Sequence, residues 1–373
     1  MARNSLRAAA AAAAARGWLG AAAGPEREPL RRRILAVGGA AALDRWLGEG
    51  PGAAVTAPYL MKRVRELRRY GRHNHALEIM DWMEKRGMEI THGGHAVRLD
   101  LIWKTRGIAP AEEYFSTLPN VAKQQRTYGA LLNCYCSERM TEKATAHFEE
   151  MKELSIHSSA FVYNNIMSLY MKSGEFEKVP FLFDEMKTNN ITPDNCTNRI
   201  LIKSYALMND MVSVDRAIQE MEGNGGALDW STYCLLGSIY ISAGLLEKAV
   251  IAVKKAELVM DRDDLSPFRF FISLYANAGN LAEVKRVWDL LKARVGRPAN
   301  VHYRLMLQAL AKLDDVSSLK KCFEEWESGA VNYDMRLVNI VIDAYTKKEM
   351  VEEAKLLREK ASKMVEVTNL SSA

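Results

Sequence analysis

The sequence predicts an all-α fold, a right-handed α-solenoid of helix-turn-helix repeats with a 35-residue period. Two observations carry that prediction. The first is a hairpin pattern in Phe161–Asp194: Ile166, Leu169 and Tyr170 recur at helical spacing, Ser173-Gly174 breaks the run, and Phe176, Val179, Phe181, Leu182 and Met186 carry a second helix to the Pro193-Asp194 turn. One such hairpin cannot bury its own apolar face, so it needs neighbours of the same kind. The second observation supplies them. Steps of 35 from Tyr135 land on Tyr170, Tyr205, Tyr240, Tyr275, Leu310 and Tyr345. Steps of 35 from Ala144 land on Val179, Val214, Ala249, Val284, Leu319 and Ala354, and a third column reads Phe148, Phe183, Ile218, Val253, Trp288 and Phe323. Helical amphipathicity alone has no memory beyond a turn or two, so aligned columns mean a stacked array.

Taken in order, residues 1–33 differ from the rest. Arg3, Arg7 and Arg16 sit in an Ala-rich stretch, unbroken from Ala8 to Ala15, and no acid precedes Glu26. Arg-rich, acid-poor and helix-forming is the pattern of an organelle import presequence. Alanine is too weakly hydrophobic for the core of a secretory signal. With Ser5 the one hydroxyl residue among the first 24, a mitochondrial destination is expected, the alternative being the chloroplast. The formal charge of +5 falls to 0 if cleavage follows Arg33, because seven Arg and two Glu leave with the segment.

Residues 34–56 are expected to form an N-terminal cap or linker, with Leu43, Trp46 and Leu47 in a short helix whose Trp46 suits the covering of the exposed end. The solenoid itself is expected over residues 57–366, about nine helical hairpins, followed by a disordered tail at 367–373. Tyr59–Met88 is the first hairpin, with Ala76 and Met83 in the second-helix columns. Its first helix carries Lys62, Arg63, Arg65, Arg68 and Arg69, read as a solvated face or as phosphate contacts. Across residues 89–122 the period slips, Gly107 and Ala111 taking the turn and packing roles one residue early. Regular units follow, with turns at Arg139-Met140, Ser173-Gly174, Asn209-Asp210, Ala243-Gly244, Ala278-Gly279, Asp314-Asp315 and Glu349-Met350.

With these columns in place, the phrases YNNIMSLYMKSGEFEKVPFLFDEMK and TYCLLGSIYISAGLLEKA, the period and the Pro193-Asp194 end resemble pentatricopeptide repeats of the pure-repeat (P-class) type of land-plant organelles. Tetratricopeptide repeats have a period of about 34 and a Trp/Leu-Gly/Tyr pattern that is missing here. The resemblance implies RNA binding by the repeat surface, read through two places per unit. One is the residue after the Tyr that opens the first helix, the other the last residue of the unit. The pairs it implies are Gly129 with Ser159, Asn164 with Asp194, Arg199 with Asp229, Cys234 with Asp264, Arg269 with Ala299, Arg304 with Asp334, and Asn339 with Asn369. Asn164/Asp194 is a standard family pair, which the resemblance assigns to uracil. Arg at three reading places, Gly129 and Cys234 depart from the family pattern. So does the place two residues into each unit, where Arg126, Phe161, Cys196, Ser231, Ser266, Val301 and Arg336 stand and an aliphatic residue is usual. The three Arg can pair with phosphates, stack on bases, bind acidic groups of a protein, or form salt bridges to Asp229 or Asp334.

Other chemistries lack their residues. His147-Phe148-Glu149 has no Pro-Cys-x-x-Cys partner, and Cys134-x-Cys136 has the wrong spacing for a deaminase zinc site. His73-x-His75 and His92-x-x-His95 lack the ligands that complete a tetrahedron, and read as solvated loop or helix-edge histidines. There is no Gly-rich phosphate loop and no Gly-x-Ser-x-Gly elbow. The five Cys are expected to be buried reduced thiols. No apolar run reaches the roughly 18 residues that span a membrane. The expectation is therefore a protein that is no enzyme and holds no cofactor or metal. Its partners are single-stranded or structured organelle RNA, and ribosomal proteins, with no membrane or small-molecule substrate. The function expected is organelle transcript stability, processing or translation. The alternatives are a component of the organelle ribosome and a protein-interaction scaffold.

Overall fold

The computed structural model describes residues 43–44, 56–156, 159–223, 228–330 and 333–370, with side chains as far as Met364. The presequence expected at 1–33 and Trp46 and Leu47 of the expected cap lie outside the described residues. Two compact units divide the chain, Met1–Thr192 and Pro193–Ala373. The first holds α1 (Ala57–Arg69), α2 (His73–Lys85), α3 (His92–Arg106), α4 (Ile108–Thr117), a 3-10 turn (Asn120–Ala122), α5 (Gln125–Ser137), α6 (Thr141–Glu153), α7 (Ala160–Ser173) and α8 (Lys178–Thr188). The second holds α9 (Asn195–Leu207), α10 (Met211–Gly223), α11 (Trp230–Ser242), α12 (Leu246–Val259), α13 (Pro267–Asn277), α14 (Leu281–Val295), α15 (Asn300–Lys312), α16 (Val316–Ser328), α17 (Met335–Lys347) and α18 (Val351–Leu370). No strand occurs among the described residues.

Each odd-numbered helix pairs with the even-numbered helix that follows it. Odd helices also pack on odd helices, α3–α5–α7 in the first unit and α9 through α17 in the second. Each unit is thus two layers deep, as a stack of hairpins must be if every apolar face is to be covered. The core is built from the repeating columns. Ala144, Val179, Val214, Ala249, Val284 and Leu319 are fully buried, and Phe148, Phe183, Ile218, Val253, Trp288 and Phe323 nearly so.

The tyrosine column sets the hairpin turn through its backbone. In every regular unit the residue four places after it takes a left-handed conformation: Arg139, Gly174, Asn209, Gly244, Gly279, Asp314 and Glu349, with φ between 57° and 82°. The next N–H then bonds back to the column carbonyl, as Met140 does to Tyr135 and Met350 to Tyr345, both at 3.0 Å. This is the Schellman closure of a helix C-terminus. Glycine is at ease there, whereas Arg139 and Glu349 carry the steric cost of a Cβ at positive φ.

Packing is tightest between α11 and α12. Gly237 faces Ala249 and Val253, and a Cβ on it would come within 3.0 Å of Val253 Cγ2. The irregular hairpin α3/α4 turns on Gly107 alone, at φ 92°, with Ala111 fully buried behind it. Leu43 is buried and Asp44 accepts a hydrogen bond from Trp82 Nε1 at 2.7 Å, so this short stretch docks on α2.

Three places differ from the sequence reading. Phe181, expected in the core of α8, is 75% exposed. It lies one residue from Leu182 and two from Val179, and those two take the inward face. The basic helix α1 is not uniformly solvated. Arg63 is buried against Glu66 at 2.6 Å, and Arg68 pairs with Asp100 at 2.6 Å, leaving Lys62, Arg65 and Arg69 as the exposed stripe. Finally, α18 runs on to Leu370.

Two outcomes are expected from this geometry. Glu349→Gly should raise stability by about 0.5–1 kcal/mol in urea unfolding, because relief of left-handed strain exceeds the unfolded-state entropy that glycine adds. Gly237→Val should lower it by about 1–3 kcal/mol, because the α11/α12 approach has no room for a branched side chain.

Candidate nucleic-acid interface

Sorting charge by layer shows what the overall sum conceals. The odd helices carry 17 Lys and Arg against three acids, Glu66, Asp100 and Asp343, a surplus of +14. The even helices carry 19 Lys and Arg against 25 acids, a balance of −6.

The even-layer charges are largely spent on one another, one hairpin to the next. Lys143 pairs with Glu112 at 2.6 Å, Lys152 with Glu185 at 2.9 Å, Lys248 with Asp215 at 2.6 Å and Lys255 with Glu222 at 2.7 Å. Arg286 pairs with Glu257, and Lys360 with Glu327, both at 2.7 Å. Lys285 and the Ser318 side chain hold the Asp315 carboxyl at about 2. Tyrosine hydroxyls of the odd helices close on even-layer acids of their own hairpins, Tyr163 on Glu185 at 2.9 Å and Tyr303 on Glu325 at 2.8 Å. On the odd layer, by contrast, Arg126, Lys172, Lys203, Arg269, Lys312 and Lys347 stand exposed. Among them are apolar side chains open to solvent, Phe161 (54%), Phe270 and Val301 (41% each). Cations interleaved with apolar and aromatic faces can hold phosphates and stack bases of a single strand.

The reading places named from the sequence fare differently from one another. Asn164 is buried on α7. Asp194 caps α9, accepting from the Thr197 N–H at 2.8 Å. Arg199 Nη1 donates to Asp229 Oδ2 and to Ser231 Oγ, both at 3.0 Å, so this arginine forms a salt bridge within the protein. Asp229 also caps α11 through the Thr232 N–H at 2.9 Å. Burial works against charge at Asp229, but its bonds to Thr232 and Ser231 and the Arg199 charge outweigh that and hold its carboxyl below the ordinary value. Cys234 is buried, its thiol pushed up to about 12 by desolvation, so it presents no donor to a ligand. Asp264 accepts from the Ser266 N–H at 2.8 Å. Arg269 is exposed and lies over the Phe270 ring at 5.1 Å. Arg304 is half-buried near Asp334, whose carboxylate is forked by Arg336 Nε at 2.8 Å and Nη2 at 2.6 Å. Asn339 is exposed, and the side chain of Asn369 lies outside those described.

The unit-end aspartates thus serve first as helix caps, a role any chain needs at that point. Sequence reasoning missed Lys203, Lys312 and Lys347, which sorting charge by helix register finds. It also missed a recess of ≈ 510 Å³ on the odd layer of the first unit, framed by Arg126, Gly129, Asn133 and Phe161.

The histidines and thiols singled out in the sequence are mostly packed among other side chains. His147, read as flanking a core position, is itself buried and stacked on Tyr128 at 5.1 Å between ring centres. Burial lowers its pKa. His95 Nδ1 lies 2.8 Å from the Tyr114 hydroxyl. No group of His, Cys, Asp and Glu suited to a metal ion occurs among the described residues. Cys134, Cys136, Cys234 and Cys322 are buried and their thiols pushed up to about 12 by desolvation; Cys196, expected buried, is exposed because it opens α9 on the solvent side.

Hairpins repeating at 35 residues, with Schellman-closed turns and a cationic odd layer in each unit, define a helical-repeat protein of the α-solenoid class. Residues 158–207 match the PPR repeat family, and residues 126–156 and 337–363 match the PPR repeat. A mitochondrial pentatricopeptide repeat-containing protein of Arabidopsis thaliana is 36% identical over 335 residues, 88% of this chain and 68% of that one. The chain belongs to the pentatricopeptide repeat family, and its 35-residue hairpins are repeats of the P-class type.

A second mitochondrial member from Arabidopsis thaliana is 43% identical over 304 residues, 81% of this chain and 61% of the relative. The large ribosomal subunit protein mL101 of the same plant is 41% identical over 299 residues, again 61% of its length. The chain thus spans about three fifths of these two relatives. Among solved structures, the pentatricopeptide repeat protein PPR10 in complex with an 18-nt psaJ RNA element aligns with a TM-score of 0.59 at 15% identity, over 87% of this chain and 52% of that one. At that identity the likeness establishes the fold alone.

Asp229→Ala is expected to cost about 0.5–2 kcal/mol, the loss of a helix cap. Because the Asp229 pKa is depressed on folding, its contribution is present above about pH 4 and lost as pH falls further, so the variant should lose less stability over that acid range. Native protein treated with a thiol-reactive dye should label rapidly at Cys196, and at the four buried thiols only on unfolding.

Proposed function

We propose that this protein binds single-stranded RNA along the odd-helix layer of each unit and acts in mitochondrial gene expression, in transcript stability, processing or translation. The observation that carries this reading is the charge surplus of +14 on the odd helices of a chain whose full-length charge is +5. Phosphate contact supplies most of the affinity, from the exposed Arg and Lys. Phe161, Phe270 and Val301 offer the faces on which bases rest. Sequence reading is sparse in this account. Asn164/Asp194 is the one pair with family-typical side chains, while Arg199 is clamped, Cys234 buried and Gly129 bare. The reading needs no catalytic step, and relatives named mitochondrial support the compartment.

The same sparse reading places, together with the likeness to mL101, favour a second role as a component of the mitochondrial ribosome. There the odd layer would hold structured RNA by shape and phosphate. Co-sedimentation with mitochondrial ribosomes separates the two roles.

Fluorescence anisotropy with a labelled single-stranded RNA at several salt concentrations tests the interface. Lys203→Glu with Arg269→Glu should weaken binding at least tenfold and flatten the log–log salt dependence by about 0.7 per lost phosphate contact. Lys320→Glu, on the even layer, should change neither. Equal loss from the even-layer variant, or none from the odd-layer pair, would overturn the assignment.

A further inference from the structure

The tyrosine column has one exception, Leu310 on α15. In the two hairpins before it, the tyrosine hydroxyl donates to an acid of the preceding even helix, Tyr240 to Asp215 at 2.7 Å and Tyr275 to Glu257 at 2.5 Å. A base from the tyrosine's own hairpin completes each cluster, Lys248 on Asp215 at 2.6 Å and Arg286 on Glu257 at 2.7 Å. Ring, carboxylate and cation thus join one hairpin to the next. At Leu310 two of the three are replaced. The phenol is gone, and the residues 25 and 18 places earlier, where Asp215 and Glu257 stand relative to their tyrosines, are Lys285 and Lys292. The cation is kept as Lys321, which follows Leu310 at the spacing by which Arg286 follows Tyr275. A recess of ≈ 260 Å³ opens here between α14 and α16. Buried Trp288, Met306 and Leu310 line it, together with the three lysines. Lys285 is engaged by Asp315 at 2.6 Å, and Lys292 lies 3.5 Å from Asp289 and 3.4 Å from Glu325, the two acids of the lining. Lys321 is exposed and pairs with no acid among the described residues.

We propose that this recess is a docking point on the even layer for an acidic segment of a partner protein, which seats an aromatic side chain over Leu310 and sets a carboxylate against Lys321. The partner supplies the ring and the anion that the neighbouring hairpins carry in their own chain. Volume argues for one side chain, because ≈ 260 Å³ lies below the roughly 300–1,000 Å³ usual for small-molecule sites. Charge argues for acidic flanks. Exposed Lys320 and Lys321 stand side by side at the start of α16, and they attract an acidic segment and repel a basic one. An aromatic anchor in an apolar pocket is also where protein interfaces concentrate their binding energy. The site lies on the layer opposite the exposed odd-helix cations, so the partner and RNA can be held at once.

The test uses the full chain and an array of short peptides in which Phe, Tyr, Trp or Ala holds the centre and Asp and Glu stand at varied places among Gly and Ser. Peptides with an aromatic centre should bind about tenfold or more tightly than their alanine counterparts, as an anchor side chain in a pocket does. Leu310→Tyr puts the ring back into the chain itself and should cancel that advantage. Thermal melting establishes that this variant folds. Lys321→Glu, a surface change, serves if it does not: it should weaken the aromatic peptides about threefold or more and leave RNA affinity unchanged. Equal or absent binding of aromatic and alanine peptides, or aromatic binding that survives both substitutions, overturns the proposal. So does displacement of the peptide by single-stranded RNA, which would place it on the odd layer. Binding of free 4-hydroxyphenylacetate as tight as that of the peptides would make this a small-molecule site and overturn the partner.

Discussion

The hydrogen bond from each turn back to the tyrosine-column carbonyl is the constraint on which the array depends. It ends the odd helix, reverses the chain in a left-handed residue, and delivers the even helix at the distance where Ala144, Val179 or Ala249 meets its partner. Because that closure recurs in all seven regular units, the same pair of faces is offered to the next hairpin each time. The irregular α3/α4 turn shows the alternative. With Gly107 alone between the helices, the register slips by a residue, and the short 3-10 turn at Asn120–Ala122 follows before regular packing resumes at α5.

Much of this was legible in the sequence, because packing columns repeat and repetition can be read without coordinates. The buried columns, the turn positions and the slip at Gly107 all follow from spacing. What spacing could not give was strain and orientation. Arg139 and Glu349 carry no glycine-like signal, yet both adopt positive φ because the closure requires it. Phe181 looks like a core residue by type, and its exposure depends on an angular offset that a hydrophobic count does not register.

The interface was legible in outline and obscure in detail for a related reason. Composition reports a sum, and a sum near zero over residues 34–373 argued against a polyanion ligand. The structure separates the two populations of charge. Acids of the even helices meet lysines of adjoining hairpins and tyrosines of their own, while odd-layer cations such as Lys203 and Arg269 face solvent. Reading places failed individually for local reasons, since Asp229 is engaged as a cap and by Arg199, and Cys234 is packed away. None of this is visible from identity at a motif position. The recess beside Gly129 was hidden too, because it is lined by residues drawn from positions as far apart as 68 and 162.

The layering of charge gives each hairpin of the first unit an electric moment across its thickness, positive on the odd side. Such a moment acts before contact. A strand approaching through solution is drawn toward one layer and repelled by the other, so encounter is oriented at distances up to about 8–10 Å in physiological salt. A unit whose acids are gathered on one layer can thereby present cations on the other without becoming a generally sticky polycation.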